Sequence, residues 1–217
     1  ADIHLPIAPG SDLALLHGIA HLVLRENGQD PTFIDDHTEN YEAFFDVVAR
    51  WTPRRVARFC NLPEKRLREV AQLFHRRENV LSLWSMGVNQ RQEGTAVVCG
   101  LINLHLLTGQ IGKEGAGPFS LTGQPNAMGG REAGGLSHLL PGYRLVANDQ
   151  HRQDVEQAWK FPAGSIAATP GLAAWQQIEA MERGEIDLWW VAATNPLVSM
   201  PDLDRVKAAM SKCPLVV

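Results

Sequence analysis

The chain has 217 residues, of which 45% are hydrophobic and 20% are charged, and its formal net charge is −4. This composition is typical of a globular protein with one large or two small domains. The slightly acidic net charge gives no indication of a surface that binds nucleic acid or anionic membranes. No apolar run reaches the roughly 20 residues of a membrane-spanning helix.

The three cysteines, Cys60, Cys99 and Cys213, lie far apart in the sequence and form no CxxC pair. An odd number of cysteines without disulfide spacing favours a reducing compartment, so we expect a cytoplasmic protein. Cys99 lies in an apolar run and is predicted to be a buried structural thiol. No cluster of Cys and His has zinc or iron–sulfur spacing, so no metal ligand is predicted in the chain.

The amino-terminal segment predicts a strand, a turn and a capped helix in succession. Ile3–Ile7 alternates as a strand does, Pro9–Gly10 forms a turn, and Leu13–Arg25 has apolar residues at helical spacing. Ser11 or Asp12 is expected to cap this helix, because a side-chain oxygen there accepts bonds from free backbone amides. Such junctions bind nucleotides in α/β folds, so this turn is a candidate ligand site.

Helices and strands alternate along the rest of the chain. Helices are predicted at Glu39–Arg50, Pro53–Cys60, Glu64–Arg76, Thr95–Leu107, Asp154–Trp159, Thr169–Arg183 and Asp202–Ser211. Buried strands are predicted at Asn79–Trp84 and Ile186–Ala192, and a further strand is predicted to begin at Leu215–Val217. Thr108–Pro118 carries four glycines and is predicted to link two lobes. The alternation on both sides of this linker indicates an α/β fold with parallel sheets.

The stretch Ser120–Leu136 contains five glycines and one proline, so we do not expect it to form the interior of an ordinary helix. Glycine allows a backbone to approach a ligand closely. The side chains of this stretch that could hold a polar ligand are Thr122, Gln124, Asn126, Arg131 and Glu132. On composition alone, an ordinary surface loop is an equally good interpretation, since loose glycine motifs are weak signals.

Four segments resemble the molybdopterin oxidoreductase family. TGQPNAMGGRE at Thr122–Glu132 closely resembles a segment of assimilatory nitrate reductase catalytic subunits within that family. The other three are LWSMGVNQRQEGT within Ser82–Thr95, AATNP at Ala192–Pro196 and PGSDLAL at Pro9–Leu15. Since they occur in the family's order across nearly the whole chain, the four segments together are a specific signal.

The resemblance implies bis-molybdopterin guanine dinucleotide with molybdenum as cofactor, and the reduction of nitrate to nitrite by two-electron oxygen transfer at the metal. The side chains and backbone positions that it places at the cofactor are Gly10, Ser11, Asp12, Met86, Gly87, Gln90, Gln124 and Asn195. In the family, an aspartate at the position of Asp12 holds the guanine base, and Met86 belongs to the metal pocket as a catalytic residue. We expect Asp12, Met86, Gln90, Gln124 and Asn195 to converge on one cleft.

Arg131 is the candidate substrate residue. A guanidinium presents a fork of donors that suits a planar, delocalised anion such as nitrate. The alternative is a structural arginine that pairs with Glu132 or another acid.

The resemblance also implies the organisation of the fold: two lobes with parallel, Rossmann-like three-layer sheets. Residues 1–122 would form a first cofactor-binding lobe, and residues 123–217 a truncated second lobe. The family's iron–sulfur cysteines and metal-ligating cysteine have no counterpart here, so the ligands of a 4Fe-4S cluster would lie outside this chain. We therefore expect a central fragment, inactive alone, that works with an electron donor protein or domain and the remaining domains of the parent chain.

Two alternatives stay open. The chain could be the same region of a formate dehydrogenase, although those relatives typically carry an arginine where this chain has Thr122. It could also be a non-enzymatic nucleotide-binding domain.

Overall fold

The computed structural model describes residues 1–76 and 79–217, and in these ranges it contains twelve helices and three two-stranded sheets. The chain divides into two compact units, Ala1–Gly123 and Gln124–Val217. Two of the three sheets in these described ranges are parallel, which confirms the α/β class. Each of those two parallel sheets has two strands. They are smaller than the sheets of the three-layer, Rossmann-like lobes that the resemblance implied.

The first unit is mainly helical. Its helices are α1 (Asp12–Arg25), α2 (Pro31–His37), α3 (Tyr41–Ala49), α4 (Pro53–Cys60), α5 (Glu64–Arg76), α6 (Met86–Asn89) and α7 (Gly94–Leu107). Its strands are β1 (Leu81–Trp84) and β2 (Gly117–Ser120). The two strands pair in parallel, with Leu81 opposite Gly117 and Trp84 opposite Ser120.

The core of the first unit surrounds α1. One broad face of this helix is buried, and Leu22 and Val23 are each 1% exposed. The helix packs against α4, α5 and α7. Its approach to α4 is close, because a Cβ atom on Gly18 would lie 2.8 Å from both Cγ atoms of Val56. A larger residue at position 18 would therefore have to displace Val56 or the helix.

The second unit has shorter elements. Its helices are α8 (Ala127–Glu132), α9 (Asp149–Trp159), α10 (Ala174–Glu182), α11 (Pro196–Ser199) and α12 (Leu203–Met210). The strands β3 (Leu139–Leu140) and β4 (Arg144–Leu145) pair in antiparallel fashion, and β5 (Leu188–Trp189) and β6 (Leu215–Val216) pair in parallel.

The main core of the second unit lies between α10 and α12. Ile178 and Met181 of α10 pack with Val206 of α12, and all three are fully buried. Beside them, the Arg205 guanidinium donates two hydrogen bonds of 2.6 Å to the Glu182 carboxylate. The main core of the second unit is thus a contact between two helices with an ion pair beside it, whereas the core of the first unit surrounds one central helix.

The strand predicted at Ile3–Ile7 is wrong, because this segment is irregular. The Ile7 N–H donates to the Leu5 carbonyl at 2.9 Å, which closes a tight turn and does not extend the backbone. Leu5 and Ile7 still pack against the core of the first unit. The alternating pattern therefore signalled burial, which an irregular segment achieves as well as a strand.

The burial predicted for Cys99 is also wrong, because its side chain is exposed. The buried stripe of α7 contains Val97, Gly100, Leu104 and Leu107. Cys99 lies outside that stripe, at the edge of a cavity of about 470 Å³ lined by residues of α1, α2, α3 and α7. An apolar helix gives little signal about which face is covered.

The glycine-rich stretch contains a helix where none was expected. α8 includes Gly129 and Gly130. A Cβ atom on Gly129 would lie 2.2 Å from the Asn126 amide oxygen, so the missing side chain leaves room for Asn126 over the first turn. The same glycines that weaken helix propensity therefore permit this helix to form.

Candidate functional site

The parallel strands of the first unit end side by side, at Trp84 of β1 and Ser120 of β2. The Leu121 N–H donates to the Trp84 carbonyl at 2.7 Å, so the segment after β2 leaves along the same edge. Asn89, in the segment after β1, donates from its side-chain amide to the Ser120 hydroxyl at 3.4 Å. Ligands of open α/β sheets bind outside this edge, at the carboxyl ends of the strands.

Met86, Gly87 and Gln90 follow β1 at this edge. They belong to α6, a single helical turn, or end it. The Met86 side chain is 41% exposed, and its sulfur lies 3.8 Å from the position that a Cβ atom on Gly123 would occupy. Gly87 faces open space, and Gln90 is exposed. The first unit therefore places Met86, of the segment LWSMGVNQRQEGT, beside Gly123, near the start of the segment TGQPNAMGGRE.

The turn before α1 is held by hydrogen bonds to Cys60, the last residue of α4. Gly10 has a φ of +81°, a conformation that favours glycine. The Ala8 N–H donates to the Cys60 carbonyl at 2.9 Å, and the Cys60 thiol donates to the Ser11 carbonyl at 3.6 Å. Burial, as the largest cause, raises the pKa of the Cys60 thiol, so this group stays a protonated donor.

The predicted cap of α1 is wrong. Ser11 occupies the N-cap position, but its hydroxyl donates to the Ala8 carbonyl at 2.6 Å and makes no bond to the first turn. The Asp12 carboxylate accepts a hydrogen bond from the Arg91 guanidinium. The tight Gly10 turn supplies a nearer acceptor for Ser11, and a charged partner is available to Asp12, so neither side chain caps the helix.

Arg91 is the residue of this site that sequence reasoning missed. It lies 79 positions from Asp12, and the two paired side chains are 22% and 29% exposed. Its terminal Nη2 is 3.7 Å from the position of a Cβ atom on Gly10, and its Nε is 3.6 Å from a Glu93 carboxylate oxygen. The only local signal was its position inside the polar loop after Gln90.

This arrangement joins two segments that the sequence keeps apart. The Asp12–Arg91 pair connects the turn before α1 to the segment Met86–Arg91. A guanidinium has five N–H donors, so Arg91 can serve Asp12 and an anion together. The amino terminus of α1 adds a favourable potential for negative charge. The site can therefore hold a ligand that carries both an anionic group and a hydrogen-bond donor edge.

The remaining candidate residues lie in the second unit and are exposed. Asn195 caps α11, since its side-chain oxygen accepts from the Leu197 N–H at 3.1 Å. Arg131 lies in the last turn of α8, and within the described ranges it has no ion pair with Glu132 or another acid. Gln124 opens the unit. The convergence of these three residues with the first group stays a prediction.

Two further observations concern metal ions and membranes. Among residues 1–76 and 79–217, no group of three or more His, Cys, Asp or Glu side chains is placed to hold a metal ion. In the same ranges, no helix has the length and apolar character to cross a bilayer.

The sequence of the chain is similar to several nitrate reductases. It is 55% identical over 212 residues to a nitrate reductase of Synechocystis sp., an alignment that covers 98% of this chain and 30% of that protein. It is 40% identical over 227 residues to a nitrate reductase of Symbiobacterium thermophilum, with coverages of 100% and 30%. A periplasmic nitrate reductase of Desulfovibrio desulfuricans is 39% identical over 221 residues, with coverages of 97% and 29%. The chain thus spans about 30% of the length of these relatives.

The structure is similar to acetylene hydratase from Pelobacter acetylenicus, with a TM-score of 0.68. That match covers 100% of this chain and 32% of the other, at 15% sequence identity, so it concerns the fold alone. The family model described as molybdopterin oxidoreductase matches residues 1–217. Because that match extends over every residue, and the four motif segments agree with it, the chain belongs to the molybdopterin oxidoreductase family.

Proposed function

We propose that this chain is the central, cofactor-facing segment of a molybdenum nitrate reductase that reduces nitrate to nitrite. The observation that carries the proposal is the 55% identity to a nitrate reductase across 98% of the chain. The site geometry is consistent with it, because the Asp12–Arg91 pair and Met86 lie in segments that match the family.

The cofactor proposed is bis-molybdopterin guanine dinucleotide. Gly10 supports the fit, since a side chain there would enter the space beside Arg91, and Gly87 leaves open space. A guanine base presents adjacent N–H donors, which the Asp12 carboxylate can accept, and a phosphate suits the Arg91 guanidinium and the Gly10 turn. We propose that the Ser11 turn, Gln90, Gln124 and Asn195 complete the contacts.

The cofactor, when bound, supplies a molybdenum centre that exchanges two electrons and one oxygen atom with the substrate. The chain's own residues position the reactants. Met86 is proposed to shape an apolar wall of the metal pocket, because its thioether is flexible and carries no charge. Arg131 is proposed to bind nitrate through two parallel N–H donors. Its guanidinium is exposed and forms no ion pair with an acid among the described residues, which supports this role.

Further parts of the parent protein are needed under this proposal. Residues 1–122 and 123–217 are proposed to be a first and a truncated second cofactor-binding lobe. A 4Fe-4S cluster, the protein ligand of molybdenum and the docking site for an electron donor would lie in other domains. We therefore propose that this chain alone does not reduce nitrate.

The compartment is proposed to be the cytoplasm, in keeping with nitrate assimilation. Three free thiols within the described chain support it. One relative is named a periplasmic nitrate reductase. Fractionation of cells that express the full-length protein, with cytoplasmic and periplasmic marker enzymes as controls, would decide between the two compartments.

The test of the function uses the full-length protein that carries this chain. Molybdenum and pterin are quantified, and the turnover of nitrate and of formate is measured with a dye as redox partner. We expect a stoichiometric metal content and turnover of nitrate but not of formate. Turnover of formate alone would establish the formate dehydrogenase alternative. A protein without molybdenum or pterin that binds free nucleotides would establish the non-enzymatic alternative.

A further inference from the structure

One segment of the first unit carries a strong positive charge in a chain whose net charge is −4. From Arg50 to Pro63 there are four arginines and no acidic residue. Three of them lie on α4, and we call the exposed group Arg54, Arg55, Arg58 and Phe59, with the neighbouring Trp51, the α4 arginine surface.

The arginines of this surface have no acidic partner. Within residues 1–76 and 79–217, no carboxylate lies within 4.0 Å of the guanidinium of Arg54, Arg55 or Arg58. Arg54 and Arg58 are four residues apart on one helix, where like charges repel. The helix therefore carries a like-charge repulsion that no ion pair among the described residues offsets.

Aromatic rings accompany the charges. The Arg55 guanidinium lies 4.3 Å from the centroid of the Trp51 ring and donates to the Arg50 carbonyl at 3.0 Å. The Phe59 ring meets Trp51 edge-on at 5.7 Å and is 55% exposed. Together with Thr52, the arginines and Phe59 line a shallow depression of about 590 Å³.

The next helix, α5, shows the opposite arrangement. Its arginines do form ion pairs, so unpaired arginines are not a general feature of the helices of this chain. On α5, Arg66 pairs with Glu69 at 2.8 Å, and Arg68 pairs with Glu64 at 2.5 Å. Both pairs have helical spacing, so α5 neutralises its own cations. α4 is of comparable exposure but has no acid with which to do so.

We propose that the α4 arginine surface is a docking site for an acidic protein surface. Arginine and aromatic residues are the side chains that contribute most to protein interfaces, and carboxylates would neutralise the three cations. A nucleic acid is a poorer occupant, because the unpaired cations are confined to one helix of eight residues, whereas a nucleic-acid surface carries a wider basic patch or stripe. A single phosphate is also poorer, since all three side chains are exposed and Arg55 is already held by Arg50 and Trp51.

This proposal does not depend on the reaction proposed above. None of its residues belongs to the group placed at the cofactor. The surface is nevertheless on the helix whose last residue, Cys60, holds the Ser11 turn. A protein bound there would therefore lie on the same helix that supports the candidate cofactor turn.

The test measures the binding of a fluorescein-labelled decaglutamate peptide to the full-length protein by anisotropy at low ionic strength. One variant combines Arg54→Gln and Arg58→Gln. Its matched control combines Arg66→Gln and Arg68→Gln, which removes the same charge from α5. Phe59→Ala tests the apolar part without a change of charge. Circular dichroism and the Tm of each variant establish that it is folded.

We expect the α4 variant to raise the Kd of the peptide roughly three- to thirtyfold, and the α5 control to change it by no more than about twofold. We also expect Phe59→Ala to weaken binding, and 0.5 M salt to abolish it, since salt at about that concentration screens exposed charges within a few ångströms. Equal losses in the α4 variant and the α5 control, or no binding of the peptide, would overturn the proposal. So would competition by millimolar inorganic phosphate, or tighter binding of a ten-nucleotide RNA through the same arginines.

Discussion

The two units hold their candidate ligand residues in different ways. In the first unit, the Asp12–Arg91 pair joins two segments of chain, and Met86 begins the helix that follows the paired strand β1. In the second unit, the exposed Arg131 lies on a helix of six residues, and the exposed Asn195 caps a helix of four. The first unit therefore holds Asp12 and Arg91 through its own fold, whereas Arg131 of the second unit is an exposed surface group.

The difference has an energetic consequence for binding. Side chains that are already fixed lose little conformational entropy when a ligand arrives, whereas an exposed arginine must be ordered at that moment. Under the proposed function, the Asp12–Arg91 pair of the first unit is therefore suited to a ligand that stays bound, the cofactor. The exposed Arg131 of the second unit is suited to a group that is exchanged in every turnover, such as nitrate.

The largest effect is expected from Arg131, and it tests the proposed role of this residue in binding the substrate. Charge-assisted hydrogen bonds are worth roughly 1.5–3 kcal/mol each. In the full-length protein, Arg131→Ala should therefore lower kcat/KM for nitrate by about one to four decades. Arg131→Lys keeps the charge but loses the fork, so it should also be impaired. The measurement is nitrate kinetics beside molybdenum content.

Two outcomes would change this assignment. If molybdenum content falls in step with activity in both Arg131 variants, the residue serves the cofactor or the fold. If both variants keep normal kinetics, Arg131 is a surface residue without a role in substrate binding.

Gly18→Ala tests how rigidly the first unit is packed. The new Cβ would lie 2.8 Å from Val56, and overpacking a core typically costs about 1–3 kcal/mol, less the ~1 kcal/mol that alanine gains over glycine in a helix. We expect a net loss of up to about 2 kcal/mol in the free energy of unfolding, measured by urea denaturation. Gly87→Ala is the matched control, since its Cβ meets nothing within 4 Å and its stability should be unchanged or slightly higher. Equal stability of the two variants would mean that α1 and α4 separate easily.

Arg91→Gln and Asp12→Asn test whether the ion pair fixes the cofactor half of the site. Because both side chains are partly exposed, a double-mutant cycle should give a coupling of only about 0.2–1 kcal/mol in stability. The molybdenum and guanine nucleotide content of the full-length protein should fall clearly in each variant, although the free energy of unfolding changes little. Arg91→Gln with full cofactor content would instead show that the pair is structural.

The smallest effect concerns pH and the ion pair of the second unit. The hydrogen bonds from Arg205, as the largest cause, lower the pKa of Glu182 below its ordinary value of 4.5. A carboxyl whose pKa is lowered by folding adds stability above the unfolded value and loses it as pH falls through the folded value. Arg205→Gln should therefore reduce the Tm of this unit at pH 7, and the difference from wild type should shrink below pH 4.5. A difference in Tm that is constant from pH 7 to pH 3 would contradict this linkage.

The sequence by itself determined the elements that local chemistry specifies. The bounds predicted for α4 and α5 are those of the structure. Pro53 occupies the first turn of α4, and Asn61 ends that helix in the left-handed conformation, so both ends follow from neighbouring residues. The four family segments could likewise be recognised from the sequence, because a motif is defined by residue types at fixed spacing along the chain. The family-model match confirms the membership that those segments implied.

Only the tertiary structure decided which of these residues meet and which faces are covered. The partner of Asp12 is 79 residues away, and the loop that carries it contains several polar side chains of equal promise. The exposure of Cys99 depends on which helices cover α7, and the shape of Ile3–Ile7 depends on whether a strand lies beside it. Caps and turns are set by interactions within a few residues, and therefore appear in the sequence. Ion pairs across the fold, burial and strand pairing are set by distant groups, and so they exist only once the chain has folded.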